Sequence, residues 1–352
     1  MDNRACNNTK GWNDFVIWHM DRIFRQCTSL GLPMKDYIEF PIEWNREKPL
    51  IEFLFYLYEQ YLKDLEEFFC CEPCTENRSN CKNTGERYKN CEKCKITNIK
   101  SICNSILDAY YQTLQWNTEH VIELLNRSPI KDILKNTIAT VEANTNLYRL
   151  RSDDNLVGKN DFMHTPFDQI YNCNSMRFSM AGTPCLYLGY SKVVCRKELG
   201  IKEGGSIGHF RSNSEFRVVD LTLEAQQKGT DIDMFELWPI LAACYTVAPD
   251  RESNFKEEYV FPQILMHYIR KNYNVDGLRY YSCRNKRLNP FSTEYMNVAF
   301  FAKIDRESTD SDAAHQNTTA EVEHTFDIDK CYPIKYAIPY DKDLCEKLDF
   351  IQ

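Results

Sequence analysis

A change in the spacing of apolar residues near position 147 constrains the fold of this chain more than any other feature. Before it, apolar side chains recur every three or four residues, as from Ile51 through Leu54 and Tyr58 to Leu65. This spacing predicts amphipathic helices. After it come short runs rich in β-branched and aromatic residues, separated by Gly, Asn, Ser and Pro, which predict strands. We therefore expect an α+β protein with a mainly helical first region.

Local signals place the elements within these two regions. Helical spacing covers residues 11–30, 50–69, 99–125, 191–199, 235–247 and 257–273. The predicted strands are LYRLR, CLYLGY, FRVVDLT, GLRYYS and MNVAFFAKI. The polar stretch 305–323 has no apolar period and predicts an exposed loop. We divide the chain into a helical domain over 1–142 and a mixed domain over 143–352.

Length, charge and apolar content exclude several classes of function. A chain of 352 residues favours two domains. The formal net charge of −8 argues against nucleic acid or an anionic membrane as a general partner. The sequence has no apolar run of about 18 residues and no basic segment followed by an apolar one at its start, so we expect neither a membrane span nor a secretion signal. The expected location is the cytoplasm.

Two pairs of closely spaced cysteines interrupt the helical region. Cys71 with Cys74 and Cys91 with Cys94 are Cys-x2-Cys pairs, and sixteen residues separate them. Four thiolates at this spacing are typical of a tetrahedral zinc site, and a complete set of protein ligands indicates a structural metal. The alternative is a set of unligated cysteines in a helical hairpin. The exact ligand set stays open because further cysteines lie nearby: Cys70, Cys81 and Cys103.

A series of residues between Arg177 and Glu198 carries the candidate chemistry. Gly182 begins a turn into a strand that carries Tyr187, and Ser191 is suited to cap the helix that follows. Glu198 lies about two turns along that helix. An arginine, a tyrosine and a carboxylate are thereby expected to share one cleft.

This series resembles the RES family, toxin-like proteins named for arginine, glutamate and serine. The family pattern is an arginine, a Gly-x-Pro turn, an apolar strand with a tyrosine, and a helical glutamate. The matching residues here are Arg177, Gly182, Pro184, Tyr187 and Glu198. The resemblance continues in order through Tyr148-Arg149, Phe261-Pro262-Gln263, Asp276-Gly277, Tyr281-Ser282 and the run from Asn297 to Phe301.

The resemblance implies an ADP-ribosyltransferase-like mixed β core with flanking helices, which binds NAD and cleaves its nicotinamide–ribose bond. The acceptor is water in a glycohydrolase and inorganic phosphate in a phosphorylase. Glu198 would bind the ribose hydroxyls and stabilise the positive charge that develops as nicotinamide leaves. Arg149 and Arg177 would hold the pyrophosphate, since a guanidinium matches phosphate oxygens bidentately.

The remaining implied contacts to NAD come from the strands. Tyr148 belongs to the binding set, and Tyr187 would pack against the nicotinamide or the ribose. Ser282 would hydrogen-bond the carboxamide or a reacting hydroxyl. No neighbour in the sequence indicates a base that would activate Ser282 as a nucleophile. The expected catalytic residues are therefore Glu198, Arg177 and Ser282.

The sequence departs from the short RES toxins in two ways. Where those toxins often have a Gly-Gly-Arg-Trp-Asn-like run, this chain has Ser175-Met-Arg-Phe-Ser, which keeps Arg177 and one aromatic neighbour. They also lack the long helical region and pair with a separate DNA-binding antitoxin. Such helical regions can resemble HEPN-type domains, but the Arg-x4-6-His motif of HEPN ribonucleases is absent here. An antitoxin or other regulatory protein, and a homo-oligomer, stay open as partners.

Three other functions are alternatives to an NAD-degrading enzyme of toxin or defence type. An ADP-ribosyltransferase would use the same cleft and pass ADP-ribose to a protein. A zinc-stabilised module without activity would sense a nucleotide, but the joint presence of Arg177, Tyr187, Glu198 and Ser282 argues against it. A nucleic-acid-binding zinc ribbon is least favoured, because the basic residues beside the cysteines are interspersed with acidic ones.

Overall fold

The computed structural model describes much of the chain, with gaps. The described residues are 19, 40–68, 92–154, 156, 159–201, 204–222, 233–248, 253, 255–284, 293–302 and 326–333. The fold divides into two compact units, residues 1–136 with 231–268 and residues 137–230 with 269–352. The predicted domain boundary between residues 142 and 143 stays a prediction, since a compact unit need not be one continuous segment.

The described elements comprise helices and strands in both units. The helices are α1 (Leu50–Phe68), α2 (Glu92–Leu114), α3 (Thr118–Arg127), α4 (Ile130–Asn136), α5 (Lys192–Leu199), α6 (Met234–Tyr245) and α7 (Val260–Asn272). The strands are β1 (Ile42–Glu43), β2 (Ile138–Val141), β3 (Asn146–Arg151), β4 (Cys185–Gly189), β5 (Ser206–Ser212), β6 (Phe216–Asp220), β7 (Thr246–Val247), β8 (Gly277–Tyr281), β9 (Met296–Phe301) and β10 (Phe326–Pro333).

The first unit packs its helices around α6, which has almost no solvent-facing side. Trp238 of α6 is fully buried, and its ring centroid lies 4.0 Å from that of Tyr61 on α1. Pro239 has no N–H to offer the carbonyl of Phe235 one turn earlier. The Tyr61 hydroxyl donates to that carbonyl at 2.9 Å, so the carbonyl keeps a partner. Helix α1 is thereby fixed to α6 by a hydrogen bond to Phe235 as well as by burial.

The second unit is an eight-stranded mixed sheet in the order β10-β5-β3-β4-β9-β8-β6-β2. Strands β6 and β8 are parallel, and the other neighbours are antiparallel. Six residue pairs join β3 to β5, whereas the register between β3 and β4 is the single pair Tyr148 and Gly189. One apolar core cluster of this unit is Val141, Leu147, Phe162, Met163, Leu186, Leu188, Phe210, Phe216, Val218, Val298 and Phe300.

The predicted α+β class is confirmed, and each of the five predicted strand runs forms a strand. The predicted helix over 99–125 is divided into α2 and α3. Trp116 separates them with a φ of 61°, in the left-handed region that ends helices. The predicted helix over 11–30 lies outside the described residues except for residue 19, and the predicted loop over 305–323 lies wholly outside them. Among the described helices, none is both long and apolar enough to cross a membrane.

Candidate active site

A row of four neighbouring residues crosses the centre of the sheet. Tyr148 of β3 pairs with Gly189 of β4, Gly189 pairs with Asn297 of β9, and Asn297 pairs with Tyr280 of β8. Directly paired residues on neighbouring strands point to the same face of a sheet. The row therefore presents two tyrosines and one amide on one face, with a glycine between them.

Helix α5 packs on this face because Gly189 has no side chain. A Cβ at that position would lie 2.5 Å from Cγ1 of Val194 and 2.8 Å from the sulfur of Cys195. The thiol of Cys195 also donates to the carbonyl oxygen of Tyr148 at 3.2 Å. The glycine thus allows the helix to approach the row closely.

The ends of α5 determine where its acidic residue lies. The helix begins after Ser191, whose hydroxyl accepts the N–H of Val194 at 3.0 Å, as predicted for a cap. It ends before Gly200, which has a φ of 69°. Glu198 lies in the last turn, and its Oε1 accepts a hydrogen bond from Nδ2 of Asn297 at 2.9 Å. The helix thereby brings a carboxylate to the row on the sheet.

The loop that precedes β4 brings an arginine to the same region. Met176 and Ser179 exchange two backbone hydrogen bonds of 2.9 and 3.2 Å, so Arg177 and Phe178 occupy the tip of a tight turn. The ring of Phe178 lies 4.6 Å from that of Tyr280. The Ser179 hydroxyl accepts from the hydroxyl of Tyr187 at 2.9 Å. The two residues that follow Arg177 therefore anchor the loop to β8 and β4.

Electrostatic effects show that Arg177 and Glu198 share a neighbour. Burial raises the pKa of the Cys283 thiol to about 11, while Arg177 acts to lower this pKa and Glu198 adds to the rise. Burial likewise raises the pKa of Tyr280, and Glu198 contributes to that increase. A cation and a carboxylate thus both lie near Cys283, and the carboxylate also lies near the ring of Tyr280. Such an arrangement suits a substrate with both anionic and cationic groups.

Ser282 and Arg284 follow the end of β8. Ser282 has no exposed surface, its N–H donates to the carbonyl of Tyr295, and its Oγ accepts the N–H of Arg284 at 3.2 Å. The guanidinium Nε of Arg284 lies 3.8 Å from Oε2 of Glu198. Glu198 therefore has an amide near one carboxylate oxygen and a cation near the other.

Arg149 lies on β3, directly after Tyr148, which forms the single register pair between β3 and β4. Its Nη1 donates to the carbonyls of Phe162 and Met163 at 3.0 and 2.7 Å. Burial, and to a lesser extent Arg151, lowers the pKa of Arg149 to about 9, whereas Tyr187 acts to raise it. The guanidinium is therefore charged at neutral pH and close enough to Tyr187 to interact with it.

Tyr148 and Tyr187 differ in their surroundings. The Tyr148 ring stacks on His209 of β5, with centroids 4.8 Å apart and planes at 12°, and the ammonium of Lys192 lies 5.7 Å from the Tyr148 ring centre. Burial raises the pKa of Tyr187 well above its ordinary value. Tyr187 is therefore a neutral hydrogen-bond donor, and Tyr148 forms part of an aromatic pair beside a cation.

The structure brings most of the predicted residues of the mixed domain into one region, whereas Arg149 leaves β3 on the face opposite to Tyr148, because successive residues of a strand alternate between faces. Tyr148 belongs to the central row, and Glu198 contacts that row through Asn297. Arg177 and Glu198 both influence the pKa of Cys283, and Arg149 lies near Tyr187. Sequence reasoning did not assign two residues that contact Glu198, namely Asn297 and Arg284. The sequence does contain a signal for Asn297, because an amide is unusual within the otherwise apolar strand MNVAFF.

The predicted zinc site lies largely beyond what the structure describes. Cys71, Cys74 and Cys91 are outside the described residues, and Cys94 lies in α2 without a described side chain. No group of three His, Cys, Asp or Glu side chains that could hold a metal occurs within the described ranges. The four-cysteine zinc site therefore stays a prediction.

Comparison with known proteins assigns the region that contains this site. Residues 146–320 match the RES domain family. The match includes every residue placed in the site above, from Tyr148 to Asn297. Arg177, Glu198 and Ser282, the residues expected from the sequence to be catalytic, all lie within this range.

A curated relative extends the similarity beyond the RES domain. The chain is 23% identical to "Putative toxin YopC" of Bacillus subtilis strain 168 over 326 residues, which cover 84% of this chain. The chain spans 66% of the length of that relative. No solved structure matches.

Proposed function

We propose that the protein is an NAD-degrading enzyme with a toxin-like role, which breaks the nicotinamide–ribose bond at the Glu198 site of its RES domain. The observation that carries the proposal is the position of the Glu198 carboxylate. Helix α5 brings it to the central row of the sheet, with Arg177 nearby, inside the region that matches the RES domain. The name of the Bacillus relative supports the toxin-like role.

The proposed reaction uses the carboxylate to stabilise positive charge. The bond between C1 of the ribose and the nicotinamide nitrogen breaks, and nicotinamide leaves with the bonding electron pair. The ribosyl group then carries positive charge, which a fixed carboxylate nearby stabilises. Water adds to C1 in hydrolysis and gives ADP-ribose, whereas inorganic phosphate gives the ribosyl 1-phosphate. We propose the ADP-ribosyltransferase-like core as the frame for this chemistry.

The two predicted arginines differ in how they would hold the pyrophosphate. Arg149 uses Nη1 for two backbone carbonyls, and the described residues give no hydrogen-bond partner to its Nε and Nη2. A guanidinium edge of this kind matches two phosphate oxygens. Arg177 stands at the tip of the loop on the Glu198 side. We propose that the two cations bind the pyrophosphate and that Phe178 and Tyr280 contact a ring of the substrate.

Glu198→Gln tests the function directly. Purified protein is incubated with NAD, with and without inorganic phosphate, and nicotinamide and the ribosyl product are followed by chromatography. We expect loss of the carboxylate charge to slow nicotinamide release by about 10²-fold or more, because stabilisation of developing charge contributes on that scale. A requirement for phosphate would identify phosphorolysis.

Two further outcomes would separate the alternatives. Labelled ADP-ribose found on protein would identify an ADP-ribosyltransferase. NAD binding without turnover in both proteins would contradict the enzyme and favour a nucleotide sensor. Glu123→Gln is the matched control, because Glu123 is an exposed helical glutamate that also lies beside an arginine, Arg127. It should leave NAD consumption unchanged.

A further inference from the structure

Glu198 needs outside support to keep one orientation. It lies in the last turn of an eight-residue helix, and its side chain is 36% exposed. A glutamate in such a position has several rotamers available, and ordering it costs conformational entropy. A carboxylate that must lie close to a ribose is displaced by a change of rotamer, and a shift of about 1 Å in a reacting geometry costs about 10²-fold in rate.

Asn297 has the properties of a fixed support. It is 4% exposed and lies on β9, where its register neighbours are Gly189 and Tyr280. Burying an amide is unfavourable unless it is hydrogen-bonded, and its Nδ2 donates to Oε1 of Glu198 at 2.9 Å. Because the central strand holds the donor, the hydrogen bond restricts the carboxylate relative to the sheet rather than to its own helix.

Arg284 supports the other side of the carboxylate, and Ser282 holds Arg284. The guanidinium Nε lies 3.8 Å from Oε2 of Glu198. The backbone N–H of the same arginine donates to Oγ of Ser282 at 3.2 Å. Ser282 has no exposed surface. Its observed contact is with the backbone that carries the arginine.

We infer that Asn297 and Arg284 are positioning residues for Glu198, and that Ser282 acts through Arg284 rather than on the substrate. This inference rests on the proposed function, because it assigns Glu198 the reacting role. Asn297 fixes one carboxylate oxygen and Arg284 the other, so the pair selects one orientation of the group. The predicted contact of Ser282 with NAD is replaced by a contact within the protein.

Asn297→Asp tests the first support. The change keeps the shape of the side chain but removes the Nδ2 donor and adds a like charge beside Glu198. We expect kcat for nicotinamide release to fall by about 10²-fold, while KM for NAD changes less than about threefold, since orientation and not binding is lost. Asn98→Asp is the matched control, because Asn98 donates in the same way to Glu236, at 2.7 Å, in the first unit. An equal loss in both variants would overturn the inference.

A double-substitution series tests the link between Ser282 and Arg284. Arg284→Gln should lower kcat by about tenfold, and Arg284→Lys should recover part of that loss because it retains a cation near Oε2. Ser282→Ala should lower kcat in the wild-type background but have little further effect in the Arg284→Gln background. If the two losses multiply, Ser282 acts independently of Arg284 and the assignment of its role is wrong.

A spectroscopic measurement separates failure of the inference from failure of the proposed function. Protein labelled with ¹⁵N at asparagine gives side-chain amide resonances, and Asn297→Asp assigns the one from Asn297. Glu198→Gln should shift that resonance upfield, because a neutral acceptor hydrogen-bonds more weakly than a carboxylate. An unchanged resonance would overturn the inference whatever the activity. A shifted resonance in a protein that consumes no NAD would retain the contact and reject the proposed reaction.

Discussion

Burial has a clear effect on the pKa of the Cys195 thiol. Cys195 lies on the buried face of α5, is 7% exposed and donates to the carbonyl of Tyr148. Burial raises its pKa from 9.0 to about 12, and hydrogen bonds to the backbone of Gly189 and Leu150 act in the opposite direction. The thiol is therefore neutral at neutral pH and behaves as a small apolar side chain with a weak donor.

This shift predicts that Cys195 weakens the fold in alkali. Between pH 9 and 12 the thiol of the unfolded chain loses its proton while the folded thiol keeps it. The unfolded state then binds fewer protons, so the free energy of unfolding falls as the pH rises, by about 1.4 kcal/mol per pH unit. Cys195→Ala should lose less stability than the wild type between pH 8 and 10 in urea titrations. Val194→Ala, a neighbour without an ionisable group, should lose as much as the wild type.

The residues of the site were predictable from the sequence to different degrees. Glu198 and Tyr187 belong to a contiguous series whose order of turn, strand and helix indicates a shared cleft. Asn297 lies in a strand about a hundred residues away, and its contact with Glu198 depends on β9 pairing with β4. Arg284 lies in a turn after β8, and the sequence does not indicate where a side chain in a turn points. Long-range pairing therefore sets the limit of prediction here.

The packing of α5 onto the sheet is the element-scale feature on which the site depends. Gly189→Ala should destabilise the protein by about 1–3 kcal/mol, because the new methyl group would overlap Val194 and Cys195. It should also reduce NAD cleavage, since α5 must move away from the row and carry Glu198 with it. Thermal unfolding and nicotinamide release measure the two effects.

A second substitution tests whether crowding is the cause. Val194→Ala removes the Cγ1 that would lie 2.5 Å from the new Cβ. In the Gly189→Ala background it should therefore cost less stability than it costs alone, with a coupling of about 0.5–3 kcal/mol. Strictly additive losses would mean that the glycine is needed for a reason other than space.

Helices and strands with a regular pattern of apolar residues were predicted well, and those without such a pattern were missed. The five predicted strands carry runs of apolar and aromatic residues, and α1 has regular apolar spacing. Strand β5, SIGHFRS, mixes a glycine, a histidine and two serines, and it forms because both β3 and β10 pair with it. Tertiary pairing decides such a strand, whereas local propensity does not.

At the scale of the whole molecule, the two compact units do not follow the order of the chain. Helix α6 comes after strands of the sheet in sequence, yet it belongs to the first unit with α1 and α2. The sequence predicted α6 as a helix, but an apolar period shows that a helix is buried without showing against which partner. The fold consequently has its first unit in two segments.

This arrangement predicts that residues 137–352 will not form a stable protein alone. Eleven of the twelve residues of α6 are buried, and Trp238 packs on Tyr58 and Tyr61 of α1. Exposing one large apolar side chain costs about 1.5–3 kcal/mol, so exposing several costs an amount comparable with the roughly 5–15 kcal/mol that stabilises a domain. We expect the fragment to aggregate or to lack a cooperative thermal transition, and co-expression with residues 1–136 to restore solubility. A soluble fragment that unfolds cooperatively near the temperature of the full chain would show that α6 does not need α1 and α2.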